Sequence, residues 1–209
     1  MLIELSQLLK KYNLKPTGVF HVGASSGQEA KSYNDCGLNK VIWIEAIPKV
    51  FNQLKERIKH YPEMYCINAC VSDKTGEQVT FHISSNEAQS SSMLELGTHK
   101  TEHPDVTYVE DIQLTTKRLD YILKTARLDI SEYNFLNLDL QGAELLALKG
   151  LGDELNKVEA VYCEVNKAHL YVGCPLIEDI DAYLSGFGFK RVETEWCGNF
   201  NWGDALYIR

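Results

Sequence analysis

Short apolar runs alternate with amphipathic segments along this chain, and no other feature of the sequence constrains its fold as strongly. The strand-like runs read TGVFHV, KVIWIE, MYCINAC, QVTFHI, YNFLNLDL and VEAVYCEV, and helical patterns follow four of them at residues 28–36, 48–60, 143–149 and 177–184. The stretches FGFKRVETEW and DALYIR, joined by a turn rich in Gly and Asn, have the pattern of a C-terminal hairpin. The sequence therefore predicts a doubly wound α/β fold with a mainly parallel sheet, whose ligands bind at the carboxyl ends of the strands.

The length of the chain and its composition, with 44% hydrophobic and 24% charged residues, predict one globular domain over residues 1–209. Residues 1–15 have the pattern of an amphipathic helix rather than a signal peptide, and no apolar run approaches the ~20 residues that cross a bilayer. The net charge of −8 disfavours a nucleic-acid partner, because phosphate binding needs clustered Lys and Arg. Six scattered cysteines without a C-x-x-C pair favour free thiols in the cytoplasm over disulfides or a zinc site.

Residues 84–116 differ from the rest of the chain, since they are polar, rich in Ser and His, and weakly periodic. They are predicted to be an inserted loop above the sheet. Two interpretations stay open: a solvated surface excursion, or a lid that covers a substrate, because long loops in compact domains are often functional. Ser92 in this loop is a candidate substrate contact.

A small-residue turn follows the first predicted strand, and its residues are Gly23, Ala24, Ser25, Ser26 and Gly27. Such a turn lets backbone N–H groups and a helix start approach a ligand closely, because no bulky side chain intervenes. The dinucleotide fingerprint G-x-G-x-x-G needs a glycine where Ser25 stands, so pyrophosphate binding is disfavoured. Tight packing of a strand on a helix is the alternative interpretation.

The second and third predicted strands end in polar or small residues that can face the same turn. Glu45 lies 22 residues beyond Gly23 in the sequence, near the offset at which an acid accepts the hydroxyl protons of a ribose. Ala46 follows it. Asn68 and Ala69 end the third strand, where an amide could meet an adenine edge.

The later strands carry the candidate catalytic and substrate-binding residues. Asp139 ends the fourth strand and is predicted to receive a cationic group, while Glu144 lies on the first turn of the next helix as either a cap or a substrate contact. Glu164 and Asn166 end the fifth strand and are predicted to contact substrate. His169 follows them and is the candidate proton acceptor. His99 and His103, in the long loop, are weaker candidates for that role.

The chain resembles the FkbM family of S-adenosylmethionine-dependent methyltransferases. The resemblance rests on HVGASSGQE, VIWIEAIP, NACVSDKTGEQVTF, SSSMLE, LDLQGAELLALKG and YCEVN, which occur in the family's order. It implies the Rossmann-like methyltransferase fold, with seven strands and a reversed C-terminal hairpin. It also implies that the glycine turn holds the methionine part of the cofactor, Glu45 the ribose, Asn68 and Ala69 the adenine, and Asp139 the region of the amino group.

Two positions depart from the family's pattern. His21 stands where many members have an acid, which leaves the anchoring of the methionine part less well defined, although His21 itself remains a candidate cofactor contact. Gln141 replaces the middle acid of a D-x-E-G-x-E block, so no metal site is predicted.

The resemblance implies O-methylation of a hydroxyl on a sugar, a glycan or another small molecule, with S-adenosylmethionine as cofactor. Two other functions stay open: a nicotinamide-dependent oxidoreductase on a similar sheet, and a binding module that keeps the cofactor pocket without catalysis. The acceptor's identity and the oligomeric state do not follow from the sequence.

Overall fold

The computed structural model describes residues 1–209, which form ten strands and seven α-helices. In chain order the strands are β1 (Val19–Val22), β2 (Val41–Glu45), β3 (Met64–Asn68), β4 (Cys70–Val71), β5 (Gln78–Ser84), β6 (Tyr108–Lys117), β7 (Phe135–Leu138), β8 (Ala160–Asn166), β9 (Lys190–Trp196) and β10 (Trp202–Ile208). The helices are α1 (Leu5–Lys11), α2 (Ala30–Asp35), α3 (Pro48–Ile58), α4 (His99–Glu102), α5 (Leu119–Ala126), α6 (Glu144–Leu151) and α7 (Ile177–Ser185). Two 3-10 helices lie at Ile130–Tyr133 and Gly152–Lys157.

Seven strands form the main sheet in the order β3-β2-β1-β7-β8-β10-β9. All neighbours are parallel except β10, which pairs antiparallel with both β8 and β9. The predicted fold is therefore confirmed, including the reversed hairpin at the C-terminal end. Because β1 is the strand from which the order runs in both directions, the cleft at the carboxyl ends of β1 and β7 is the expected ligand site.

The central strands form because most of their residues are apolar and all of them are buried. Every residue of β1, β2, β7 and β8 is buried, as expected for strands covered by helices on both faces. Alternate residues pack on opposite sides of the sheet: Phe20 and Val22 belong to a cluster of 27 buried residues, whereas Val19 belongs to a cluster of 16.

A second, three-stranded sheet has the order β4-β6-β5 and replaces part of the predicted loop at 84–116. The residues Tyr108–Lys117 form β6, so only residues 85–107 connect β5 to β6. This strand lacked a clear signal because most of its residues are exposed or half-buried, and because its antiparallel partner β5 lies on the other side of the whole 85–107 connection. The predicted run MYCINAC is also divided, between β3 and β4 in different sheets.

The N-terminal helix is shorter than predicted, since it covers Leu5–Lys11 rather than residues 1–15. Leu5 and Leu8 lie one turn apart and are both buried in the smaller apolar cluster. The helix begins after Glu4, whose side chain makes no capping hydrogen bond. No helix combines the length and the apolar character that crossing a bilayer requires.

Candidate active site

A cavity of about 390 Å³ lies at the carboxyl ends of β1, β2, β7 and β8. Its volume falls within the range of pockets that enclose small-molecule ligands. Residues from the connection at 85–107 form part of its wall, so this segment covers the sheet edge rather than pointing into solvent. The predicted ligand-binding residues that line it are His21, Gly23, Ala24, Ser25, Glu45, Ala46, Ala69, Asp139 and Glu164.

Gly23 stands where the end of β1 passes close to the residue that follows β7. Its φ of 81° lies in the left-handed region, and a Cβ here would be 1.7 Å from the carbonyl oxygen of Asp139. The N–H groups of Gly23 and Ala24 both donate to the carbonyl of Ile44, each at 2.9 Å. Strand packing therefore requires glycine at this position, and the loop that it begins is tied to the end of β2.

Glu45, at the end of β2, holds the other side of the glycine loop. Its Oε2 accepts a hydrogen bond from the Ser25 N–H at 2.8 Å, and its Oε1 accepts one from the Ile47 N–H at 2.8 Å. The side chain is buried, and this burial raises the pKa of Glu45 to about 7 in spite of both bonds. Glu45 and the glycine loop thus border one cavity, and the ribose contact stays a prediction.

His21 lies in an aromatic cluster below the glycine loop. Its ring stacks on Trp43 with centroids 4.9 Å apart, and its Nδ1 is 3.0 Å from the Tyr33 hydroxyl, which accepts a hydrogen bond from Asn137. Burial lowers the pKa of His21 to about 4, so the ring is neutral at physiological pH. His21 therefore does not reproduce the charge of the acid found there in many family members.

Gln141 bridges two carboxylates of the cavity, a role that the sequence analysis did not assign to it. Its Nε2 donates to Asp139 Oδ1 at 2.7 Å and to Glu164 Oε2 at 2.8 Å, and its Oε1 accepts from the Tyr171 hydroxyl at 2.6 Å. Asp139 is accessible from the cavity but enclosed by protein, which raises its pKa to about 6; burial raises the pKa of Glu164 well above its usual value. The position of Gln141 inside the LDLQGAE motif was the available signal.

Three predicted cofactor contacts do not line the cavity: Ser26, Gly27 and Asn68. Gly27 has a φ of 75°, and a Cβ on it would lie 2.6 Å from Leu54 Cδ1, so it serves the packing of the loop on α3. The Asn68 amide donates to the carbonyls of Glu45 and Ala46, at 2.8 and 3.0 Å. Asn68 therefore holds the turn after β2 in place, and its adenine contact stays a prediction.

Three predicted substrate contacts are buried away from the cavity: Ser92, Glu144 and Asn166. The Ser92 hydroxyl donates to the Gln141 carbonyl at 2.8 Å and joins the 85–107 connection to the loop after β7. Glu144 Oε1 accepts from the N–H groups of Leu140 and Gly142, so Glu144 caps that loop. The side-chain atoms of Asn166 have no hydrogen-bond partner.

The predicted proton acceptor, His169, is exposed and does not line the cavity. Its Nδ1 lies 2.9 Å from the carbonyl oxygen of Cys174. Histidine rings do reach the cavity from the 85–107 connection, since both His99 and His103 are in its wall. His169 was predicted to face the cleft because it follows β8 closely in the sequence, but the chain turns away from the sheet edge after Asn166.

The charge of the cavity wall is one-sided. Four carboxylates line it, those of Glu29, Glu45, Asp139 and Glu164, and no lysine or arginine does. No group of three or more His, Cys, Asp or Glu side chains is arranged to hold a metal ion. The site therefore has the electrostatics of a pocket for a neutral or cationic ligand.

Solved structures with the same fold cover nearly the whole chain. Magnesium protoporphyrin IX methyltransferase (ChlM) from Synechocystis PCC 6803 with bound SAM has a TM-score of 0.55 at 11% identity, covering 98% of this chain and 75% of that chain. Aeropyrum pernix fibrillarin with bound S-adenosyl-L-methionine has a TM-score of 0.52 at 10% identity, covering 97% and 73%. A Streptococcus agalactiae protein of the NADB-Rossmann superfamily has 0.54 at 11%, covering 100% and 69%. At these identities the likeness establishes the fold and not the ligand.

Sequence comparison identifies the family. The 2-O-methyltransferase NoeI of Sinorhizobium fredii (strain NBRC 101917 / NGR234) is 24% identical over 162 residues, which is 74% of this chain and 65% of that protein. The match thus spans less than two thirds of the relative's length. The model of the methyltransferase FkbM domain matches residues 21–191, which is most of the chain. The protein therefore belongs to the FkbM methyltransferase family.

Proposed function

We propose that this protein is an S-adenosylmethionine-dependent methyltransferase that methylates a hydroxyl group on a sugar, a glycan or another small molecule. Membership of the FkbM family and a cavity at the switch point of the sheet both support this function. The oxygen as the methylated atom is supported by the relative's name, 2-O-methyltransferase.

One observation carries the choice of cofactor: the cavity has four carboxylates in its wall and neither Lys nor Arg. S-adenosylmethionine carries a positive sulfonium and a positive ammonium group against one carboxylate. A dinucleotide instead carries a pyrophosphate, which the ionised Asp139 would repel and which no basic side chain of the wall would neutralise. The electrostatics therefore favour the sulfonium cofactor over a nicotinamide dinucleotide.

The hydrogen bonds of the glycine loop point the same way. Gly23 and Ala24 donate to Ile44, Ser25 donates to Glu45, and the Gly27 N–H donates to the Ala24 carbonyl at 2.9 Å. Pyrophosphate sites of α/β folds use free N–H groups at this position. Since four of the five loop donors are already paired, the loop is suited to close packing against the cofactor rather than to binding phosphate.

The residues of the cavity can divide the cofactor between them. Glu45 can accept the ribose hydroxyl protons with its remaining lone pairs, Ala69 offers an apolar surface to the base, and Asp139 can pair with the ammonium group. When bound, the cofactor supplies a methyl group on a positively charged sulfur. The protein's part is then to hold a hydroxyl oxygen in line with that methyl group, to exclude water and to accept one proton.

The acceptor enters from the side of the 85–107 connection. This side of the wall contains Phe81, Met93, Tyr171 and Trp202 together with serine and asparagine side chains. Aromatic surface combined with hydroxyl and amide groups suits a neutral polyhydroxyl compound. A phosphate-rich acceptor finds no cation in this wall, so nucleic acid is disfavoured as a substrate.

Isothermal calorimetry measures which cofactor the protein binds. We expect S-adenosylmethionine and S-adenosylhomocysteine to bind and NAD to give no heat of binding. Glu45→Ala should weaken cofactor binding about 10-fold or more, because hydrogen bonds to a charged group are lost. Glu110→Ala, on the exposed part of β6, is the matched control and should bind like the wild type. Binding of NAD without binding of the sulfonium cofactor would show that the proposed function is wrong.

Product formation separates an enzyme from a binding module. Wild-type protein with S-adenosylmethionine is offered methyl glycosides of hexoses, pentoses and deoxyhexoses, and S-adenosylhomocysteine is measured. We expect release above the rate without acceptor, with the methyl group on an oxygen by mass spectrometry and NMR. Tight cofactor binding without product from any acceptor would favour the non-catalytic alternative.

A further inference from the structure

His99 is the buried histidine of the cavity wall whose hydrogen bonding is incomplete. It begins α4, its side chain is 4% exposed, and its ring borders the cavity. Its Nδ1 is sealed from solvent and has no hydrogen-bond partner in the protein, whereas its Nε2 is neither bonded nor fully buried. Nε2 is therefore the nitrogen that can contact a ligand in the cavity.

The backbone around His99 is fixed to the segment that follows β8. The N–H groups of Gly97 and His99 donate to the Leu170 carbonyl at 2.6 and 3.2 Å, and the Thr98 N–H donates to the His169 carbonyl at 3.0 Å. A Cβ on Gly97 would lie 2.2 Å from that His169 oxygen. The backbone of residues 97–99 is therefore tied to the backbone of the segment after β8, without any part played by the His169 ring.

His99 borders the part of the cavity that contains Asp139. Its ring centroid is 5.5 Å from that of Tyr171. The Tyr171 hydroxyl donates to Gln141 at 2.6 Å, and Gln141 donates to Asp139 at 2.7 Å. The side chains of Tyr171 and Gln141 thus link His99 to Asp139.

The charged and titratable groups around His99 leave its ring neutral. His103 and Glu102 come from its own helix, Tyr171 from the segment after β8, and Asp139 and Glu164 from across the cavity. The Glu102 carboxylate is occupied by the N–H and amide of Asn201, at 3.0 and 2.8 Å. Burial, together with the neighbouring His103, lowers the pKa of His99 below 6.5, so the ring can accept a proton at neutral pH.

We propose that His99 is the catalytic base, which takes the proton of the acceptor hydroxyl during methyl transfer. This inference rests on the proposed function. The oxygen forms a bond to the methyl carbon, the carbon–sulfur bond breaks with its electron pair going to sulfur, and the hydroxyl proton passes to an imidazole nitrogen of His99. The resulting imidazolium ion loses that proton to water. Methyl ether, S-adenosylhomocysteine and one proton are the products.

The test compares His99→Gln with His169→Gln, using the methyl glycoside that the wild type methylates fastest. We expect H99Q to lower kcat about 100-fold or more and to abolish the rise of kcat with pH that the wild type shows around the pKa of the base. The affinity of H99Q for S-adenosylmethionine should stay within about threefold of the wild-type value, and this binding also shows that the variant is folded. H169Q should keep the wild-type rate and profile, since its ring lies outside the cavity.

The results that would overturn the role of His99 differ from those that would contradict the proposed function. Wild-type kcat and pH profile in H99Q would overturn the assignment of His99 while leaving the methyltransferase function intact, as would loss of the pH rise in H169Q instead. No product from the wild type would contradict the proposed function itself.

If H99Q does not fold, the wild type labelled with ¹³C-histidine decides the question. The six histidines are assigned by elimination with single variants of the other five. The pKa of the His99 resonance, measured with S-adenosylmethionine bound, must then coincide with that of the kinetic profile. A difference between the two would overturn the proposal.

Discussion

Glu144 is completely buried beneath the loop that follows β7. Its Oε1 accepts two backbone hydrogen bonds, from Leu140 at 2.8 Å and Gly142 at 3.2 Å, whereas its Oε2 has no partner. Burial raises the pKa of Glu144 to about 7, and the nearby Asp139 carboxylate adds to that rise. At the scale of the residue, the ionised form is thus a destabilising element that the protein tolerates near neutral pH.

The variant Glu144→Gln tests this cost. Because the pKa of Glu144 rises from 4.5 in the unfolded chain to about 7 in the folded protein, its contribution to stability is present below pH 4.5 and is lost as the pH rises through 7. Glutamine keeps the accepting oxygen and carries no charge. We expect E144Q to exceed the wild type in free energy of unfolding by about 1–3 kcal/mol at pH 8 and to match it near pH 4.5.

Urea unfolding at several pH values measures the difference, and Glu110→Gln on the exposed surface of β6 is the matched control. A difference of stability that does not vary with pH would contradict a buried, titrating Glu144.

At the scale of the element, the meeting of β1 and β7 determines the shape of the site. The two strands pair in parallel from Val19 with Phe135 to Val22 with Leu138, and the chain turns immediately beyond each. Gly23 lies so close to the backbone of Asp139 that no side chain fits between them. The same contact therefore positions the glycine loop and the Asp139 carboxylate, and it couples the stability of the sheet to the geometry of the cavity.

Alanine variants of two glycines can distinguish the cost of the close contact at Gly23 from the cost of a positive φ. Gly23 and Gly37 have similar φ values, 81° and 77°, but nothing lies within 4 Å of a Cβ on Gly37. We expect Gly23→Ala to lower the free energy of unfolding by more than about 4 kcal/mol, or to prevent folding. Gly37→Ala should cost only about 1 kcal/mol, the strain of alanine at positive φ. Equal losses for both variants, measured by urea unfolding, would show that the close approach at Gly23 has no special role.

At the scale of the whole molecule, acidic groups are gathered where the sheet ends. Burial raises the pKa of Glu45 to about 7 and that of Asp139 to about 6, and no basic side chain of the wall offsets them. Keeping these groups in one cavity costs stability near neutral pH, because each favours its protonated form. A cationic ligand reverses this preference and recovers part of the cost on binding.

Cofactor binding should consequently depend on pH. Since S-adenosylmethionine favours the ionised carboxylates, its affinity should rise as the pH increases through 6 and 7, by about 10-fold between pH 5.5 and 7.5. S-adenosylhomocysteine lacks the sulfonium charge and should show a smaller rise. Calorimetry at the two pH values measures both ligands. Affinity for S-adenosylmethionine that falls over this range would contradict electrostatic recognition by the carboxylates.

Local sequence patterns were enough to predict the architecture and one edge of the site. Buried parallel strands have continuous apolar runs in the sequence, and a glycine directly follows β1. These local patterns placed Gly23, Glu45 and Asp139 at the carboxyl ends of the strands. Each of these patterns is local, because an apolar strand, its last residue and the turn after it lie within a few residues of one another. The pairing of β6 with β5 was missed, because its evidence is a contact between distant segments.

The set of polar groups that share the cavity depends on contacts between segments that are distant in the sequence. Glu164 and Asn166 lie on one strand, two residues apart, yet the first lines the cavity and the second is sealed from it. His99 reaches the site from a segment 40 residues before Asp139, whereas His169, close in sequence to β8, is turned outward. The surroundings of a side chain, at the end of a strand as in a loop, depend on the packing of distant segments, which leaves no periodic trace in the sequence.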